Sequence, residues 1–202
     1  MPNPASGPDH GDWAVPYQPA DFTDVDPAAV TWRGKTPSAA LVDAVYRIVE
    51  GEGPIHRDVL HLHLGEVLYQ PKLTAAKKRL VDAAEELLTD EGRIIETDDF
   101  LDLPGQPCAQ ARWPLPGLTR RPVEQVAPAE RRRALLGFVE DRPRELGAEQ
   151  AVAEAAAFFG WSPRTGRAPA RLMADLYRLR DTDVITGWPS KLEPAASGGS
   201  DA

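Results

Sequence analysis

Gly34-Lys35-Thr36 is the kind of triplet that closes a phosphate-cradling loop, in which backbone N–H groups at a helix start hold the anion. The spacing fails here. Such a loop needs glycine at position 29, where Ala29 sits, and an apolar strand ahead of it, whereas no strand precedes and Pro37 follows directly. The run reads as a linker, and neither binding nor hydrolysis of ATP is expected. His56, His61 and His63 lie close together, and imidazole is a common zinc ligand. On a helix, however, His61 and His63 project about 200° apart, and no cysteine or well-placed carboxylate completes a tetrahedral set. No metal and no other cofactor is expected, and His56 is instead expected to order the first turn of its helix. No Ser or Cys stands in a nucleophile motif, and neither Glu-x-Lys nor Asp-x-Lys occurs. The chain is therefore read as non-enzymatic.

The remaining chemistry is cationic. Lys72, Lys77, Lys78 and Arg79 gather before one apolar-periodic segment, and Arg164, Arg167 and Arg171 before another. In a helix-turn-helix this is the start of the recognition helix, where side-chain charge and helix dipole both meet phosphate. The net charge of -8 opposes nucleic-acid binding as a whole, but the charge is unevenly spread. Residues 36–105 carry 7 Lys and Arg against 14 Asp and Glu, whereas residues 106–192 carry 14 against 10. DNA is accordingly expected at the second half, through Arg164, Arg167 and Arg171, and a protein partner at the acidic first half.

The elements that must position these residues follow from periodicity. Leu41, Val42, Val45, Ile48 and Val49 share one helical face after Ser38, a fitting N-cap, and Gly51-Glu52-Gly53-Pro54 ends that helix. A second helix is expected from Pro54, with Leu60, Leu64, Val67 and Leu68 as its stripe, and a third carries Leu80, Val81, Ala84, Leu87 and Leu88. Arg93-Ile94-Ile95-Glu96 and Phe100-Leu101-Asp102-Leu103 then read as a hairpin. The order returns at a shift of 92 residues. Leu68-Tyr69-Gln70-Pro71-Lys72 matches Gly160-Trp161-Ser162-Pro163-Arg164, and Leu80, Val81, Ala84 and Leu87 match Leu172, Met173, Leu176 and Leu179. The expected fold is mainly α with small β-hairpins (α+β), as two tandem winged-helix-like units. The second hairpin is the weaker, because Gly187-Trp188-Pro189 interrupts its return strand.

Domain limits follow from composition. Residues 1–36 read as an extended Pro/Asp-rich arm, although Trp13, Tyr17, Phe22 and Trp32 imply that part of it packs on a neighbouring surface. The first unit is expected at 37–105, a linker at 106–127, the second unit at 128–192 and a disordered tail at 193–202. The single cysteine, Cys108, excludes an intrachain disulfide and suits a reducing compartment. The N-terminus has neither a basic start nor an apolar core, and no stretch approaches the roughly 18 apolar residues of a membrane span. A cytoplasmic protein without membrane partners is expected.

Val49-Glu50-Gly51-Glu52-Gly53-Pro54-Ile55-His56, Gly92-Arg93-Ile94, Asp99-Phe100-Leu101 with Pro104-Gly105, Pro128-Ala129-Glu130, and the Gly160–Gly166 run with Arg164-Thr165-Gly166 together carry a resemblance. From about Tyr17 to Trp188 the chain resembles the uncharacterised domain at the C-terminal end of large superfamily 1 helicase-like proteins. Asp102 departs from that pattern, which has an aromatic after Phe-Leu. In those proteins the ATPase and nuclease chemistry lies upstream of this domain. The resemblance thus implies an accessory module standing alone, with a helicase-like or nuclease protein as the partner of the first unit. A pure protein-interaction module without nucleic-acid binding is the alternative.

Overall fold

Apolar residues at helical spacing build α-helices joined to very short strands. The computed structural model describes residues 10–21, 23, 25–70, 72–106, 108–115 and 121–196. In chain order the elements are β1 (Ala14–Pro16), α1 (Ala39–Glu52), β2 (Ile55–His56), α2 (Arg57–Val67), α3 (Ala75–Asp90), β3 (Ile95–Thr97), β4 (Phe100–Asp102), β5 (Ala111–Trp113), α4 (Pro128–Asp141), α5 (Ala148–Phe158), α6 (Ala168–Asp181), β6 (Ile185–Thr186) and β7 (Glu193–Pro194). The fold is mainly α with small sheets, of the α+β kind. Two units separate: residues 18–106 form one, and residues 108–196 with residues 10–17 form the other. No helix among the described residues is long and apolar enough to cross a membrane.

In the first unit, the Ser38 hydroxyl accepts the Leu41 N–H and so starts α1, which buries Leu41, Val45, Ile48 and Val49. The helix runs through Gly51 and Glu52 before Gly53 and Pro54 end it. Helix α2 begins at Arg57 and not at Pro54. Ile55 and His56 are spent on β2, which pairs antiparallel with β4, and the Arg57 N–H donates to the Asp99 carbonyl at 2.9 Å. His56 then caps α2, its Nδ1 accepting the Asp58 N–H at 3.1 Å. The three strands form an antiparallel sheet in the order β2-β4-β3. Helix α2 ends at Val67, and the chain reverses over Gly65, where a Cβ would come within 2.6 Å of the Gln70 carbonyl oxygen. The segment before α1 belongs to this unit: Val30 enters its core, Trp32 packs against that core, and the Ala20 N–H donates to Glu52 on α1.

In the second unit, α4, α5 and α6 bury Leu135, Val139, Val152, Ala155, Leu172 and Leu176 in one core. Each of the aligned runs at Leu68 and Gly160 joins the second helix of a unit to its third, with Pro71 lying outside the described residues. Strands β6 and β7 pair antiparallel, Ile185 opposite Pro194, so Gly187-Trp188-Pro189 falls in the connection. The return strand is Glu193–Pro194, in the stretch where the composition suggests a tail; residues 197–202 of that tail lie outside the described residues. Backbone bonds from Arg144 N–H to Leu192 and from Leu192 N–H to Leu146 tie the α4–α5 connection to this hairpin. The 3-10 turn at Val123–Gln125 and the buried Val126 and Ala127 show that the stretch before α4 is folded.

The N-terminal segment is also part of the second unit. Strand β1 runs parallel to β5, Ala14 opposite Ala111. Trp13 lies flat over Gly137 of α4, and its Nε1 donates to Asp141 at 2.9 Å. Tyr17 is buried beneath the Arg121 guanidinium, 4.4 Å from the ring centre. Phe22 lies outside the described residues. Glu130 of α4 is fully buried and takes Arg112 and Arg121 at 2.7 Å each. Burial pushes its carboxyl up, but the two guanidinium groups outweigh that and hold it below the usual carboxylate range.

Two outcomes follow from this packing. A Cβ at Gly137 would sit 2.1 Å from the Trp13 ring, so Gly137→Ala is expected to cost about 1–3 kcal/mol by overpacking. In a Trp13→Ala background the same change should lose that penalty, as denaturant unfolding of the four proteins will report. For Glu130 the folded pKa lies below the unfolded one, so its contribution is fully present above the unfolded pKa. It is lost as pH falls through the lowered folded value. Glu130→Gln should therefore destabilise the chain at neutral pH by about 3–5 kcal/mol, as expected for a broken buried pair. Its unfolding midpoint should also fall less steeply on acidification than that of the wild type.

Candidate nucleic-acid interface

Helix α6 is laid down by Leu172, Leu176 and Leu179, which face the core, and its opposite face is left to solvent. From Ala170 to Arg178 that exposed face consists of Ala170, Arg171, Ala174, Tyr177 and Arg178, with no carboxylate. The one acid within this stretch, Asp175, points inward. It is buried against Arg131 of α4 at 2.6 Å, with Arg132 at 3.8 Å. Burial raises the Asp175 pKa, and Arg131, Arg132 and Arg171 pull against that rise. The acid on the most cationic helix is thereby spent on positioning the helix.

Arg164, Arg167 and Arg171 are all exposed, the first two in the turn before α6 and the third in its first turn. Arg167 reaches Glu124 at 3.5 Å with 84% of its side chain in solvent, a pair that adds little. The Glu124 carboxyl is lowered by a hydrogen bond to its own backbone, then by Arg167 and Arg171, so both cations converge on one exposed acid. Arg164 makes no ion pair among the described residues. Sequence reasoning did not single out Arg132, Arg178 or Lys191. Arg132 of α4 lies 3.8 Å from Asp175 of α6. Lys191 is exposed in the β6–β7 connection. That connection is held to α6 by Tyr177 against Trp188 at 5.0 Å, with Arg180 over both rings.

The corresponding cations of the first unit are arranged differently. Lys72, Lys78 and Arg79 are exposed, but Lys77 is drawn in by the Gln70 side chain and lies 5.0 Å over the Trp32 ring. Beyond Arg79 the exposed face of α3 turns acidic, through Asp82, Glu86 and Asp90. Lys35 lines a cleft with Arg79 at the start of α3, without the strand-to-helix turn that a phosphate-cradling loop requires.

The three histidines also part company. His56 caps α2, His63 bonds Glu52 at 2.9 Å, and His61 faces Asp82 and Glu85 of α3. The carboxylates absent from the local sequence around His61 are supplied by another helix. The visible sign was Glu85 itself, a charged residue within the apolar stripe of Val81, Ala84 and Leu88. Comparison with protein-family models, with curated proteins and with solved structures finds no match.

Proposed function

We propose that this chain is a non-enzymatic accessory module of a DNA-processing system, with two winged-helix-like units of which the second binds duplex DNA. The observation that carries this reading is the solvent face of α6 from Ala170 to Arg178, which holds no carboxylate and is preceded by Arg164 and Arg167. A helix with that surface enters the major groove N-terminus first, its cations on phosphate and Ala170 and Ala174 facing base edges. The hairpin fixed to α6 by Tyr177 and Trp188 carries Lys191 and supplies the wing. The helix–strand–helix–helix–hairpin order of the first unit, with its sheet order β2-β4-β3, supports the same architecture there. Its α3 would bring Asp82, Glu86 and Asp90 against phosphate, so the first unit is assigned to a protein partner, a helicase-like or nuclease protein by the family resemblance.

A protein-interaction module without DNA binding is the second reading, and one observation favours it. Leu62, Tyr69, Leu87 and Ile95 of the first unit are all exposed, and Tyr69 is 82% exposed. Salt separates the two readings, since phosphate contacts release counterions and apolar contacts do not.

Fluorescence anisotropy with unrelated duplexes at several salt concentrations is the measurement. The Arg164→Ala, Arg167→Ala, Arg171→Ala triple variant should bind every duplex more weakly and flatten the salt dependence by about 0.9 in log–log slope for each lost contact. The Lys72→Ala, Lys78→Ala, Arg79→Ala triple should change binding much less. Absence of binding by the wild type at low salt, or equal loss in both triples, would overturn the DNA reading.

A further inference from the structure

Helices α2 and α3 of the first unit meet at a polar edge where three ligand-type atoms converge. His61 Nε2 lies 3.7 Å from Asp82 Oδ1 and 3.8 Å from Glu85 Oε1, and the three atoms fall within 4.8 Å of one another. The His61 side chain is 10% exposed and that of Glu85 3%. Neither ring nitrogen of His61 has a hydrogen-bond partner, nor does Glu85 Oε1, although all three are shut away from solvent. The separations are too long for hydrogen bonds. Orphaned buried polar atoms are rare, and two of these, His61 Nε2 and Glu85 Oε1, converge with Asp82 Oδ1.

We propose that His61, Asp82 and Glu85 bind a divalent first-row transition metal ion, with Zn²⁺ the best match. One imidazole nitrogen and two carboxylate oxygens are a zinc-type donor set, leaving a fourth position for water. Bonds of about 2.0–2.1 Å place tetrahedral ligand atoms about 3.3 Å apart, so His61 need approach each carboxylate by only about half an ångström. Asp82, with a side chain 55% exposed, has the freedom to close in. Burial and the Lys78 ammonium lower the His61 pKa, and burial pushes the Glu85 carboxyl up to about 6 against the pull of Arg57. Arg57 holds the other Glu85 oxygen at 2.7 Å and is itself held by Glu96 at 2.9 Å, an outer layer that orients the ligand. Its charge opposes a cation. The adjoining cleft also carries Glu86 and Asp90, giving five carboxylates to its one guanidinium, while the Lys78 ammonium acts on His61 from α3. A bound ion would cross-link α2 to α3, the helix pair on which the first unit presents its surface. This site is independent of the DNA reading, and neither stands or falls with the other.

The full chain, stripped with chelator, is to be titrated with Zn²⁺ by calorimetry and followed by imidazole ¹H–¹⁵N spectra. One ion per chain is expected, shifting the ring nitrogens of His61 and leaving those of His56 and His63 in place. His61→Ala and Asp82→Asn should each weaken binding by at least about 10-fold, the loss that removing an outer partner of a ligand already produces. Asp90→Asn, in the same cleft but outside the ligand set, should change it less than twofold. Circular dichroism on each variant checks that the helices persist; Asp82 and Asp90 are both exposed, so these two variants keep the comparison valid if His61→Ala unfolds. No uptake of Zn²⁺, uptake that shifts another histidine, or equal affinity in Asp82→Asn and wild type would overturn the proposal.

Discussion

A carboxylate removed from water needs cations or hydrogen-bond donors brought to it, and in this chain the four acids buried among the described residues are met by groups from other segments. Glu130 on α4 draws in Arg112 from β5 and Arg121 from the stretch beyond it. Asp175 on α6 takes Arg131 of α4, and Glu85 on α3 takes Arg57 at the start of α2. Glu52 at the end of α1 bonds His63 of α2 and the Ala20 N–H ahead of the helix. Each acid interrupts the apolar stripe of its own helix, and each finds its partner on another segment. Apolar burial supplies the free energy of such cores but is indifferent to small rotations of one helix against another. Buried pairs add little net stability over apolar replacements, yet breaking one is costly. Each such pair is satisfied by one arrangement of its two segments, a constraint that apolar burial alone does not impose.

That division of labour explains what could be read from the residues alone. The helices follow from apolar spacing, and the junctions at Tyr69 and Trp161 follow from a repeat that local chemistry makes visible. The Ser38 and His56 caps follow from the same local chemistry. Strand β2 does not follow, because Pro54 suits a first helical turn as well as it suits the residue before a strand. Only the pairing of Ile55 with Leu101, far along the chain, decides between them. The N-terminal segment is hidden for the same reason. Trp13 and Tyr17 announce burial, but their partners on Gly137 and Arg121 lie more than a hundred residues away.

The candidate interface was legible to the extent that it is local. Arg164, Arg167 and Arg171 lie within two turns of one helix start and remain exposed, as such a cluster must if it is to meet phosphate. Lys77 shows the limit of that reading, since a lysine beside a helix start is equally able to lie over an aromatic ring, here Trp32. Arg132 meets Asp175 of α6 from α4, and Lys191 is exposed in the connection that Trp188 holds to α6; no spacing rule ties either to that helix. The converging atoms of His61, Asp82 and Glu85 are only hinted at, by Glu85 within the apolar stripe of α3, for a related reason. Two helices contribute them, and the histidine spacing taken alone points away from a site.

The two halves of the repeat show how one scaffold is turned to different surfaces by a few side chains. At the shared junction, Trp161 stacks on Phe159 and donates its Nε1 to the Arg121 carbonyl, so the aromatic is spent holding the approach to α4. Tyr69, its counterpart, has the positive φ of 50° and lies open to water. The helices that follow diverge in the same sense. Asp175 turns inward to Arg131 and leaves α6 with a cationic exterior, while α3 keeps Asp82, Glu86 and Asp90 outside and buries Glu85. A large aromatic left in water beside an acidic helix is poorly suited to a phosphate backbone and well suited to a partner with an apolar pocket and a cationic rim. The matched stripes are not interchangeable, Leu87 being 42% exposed where Leu179 is buried, and the proposed assignment of DNA to one unit and protein to the other rests on exposed residues.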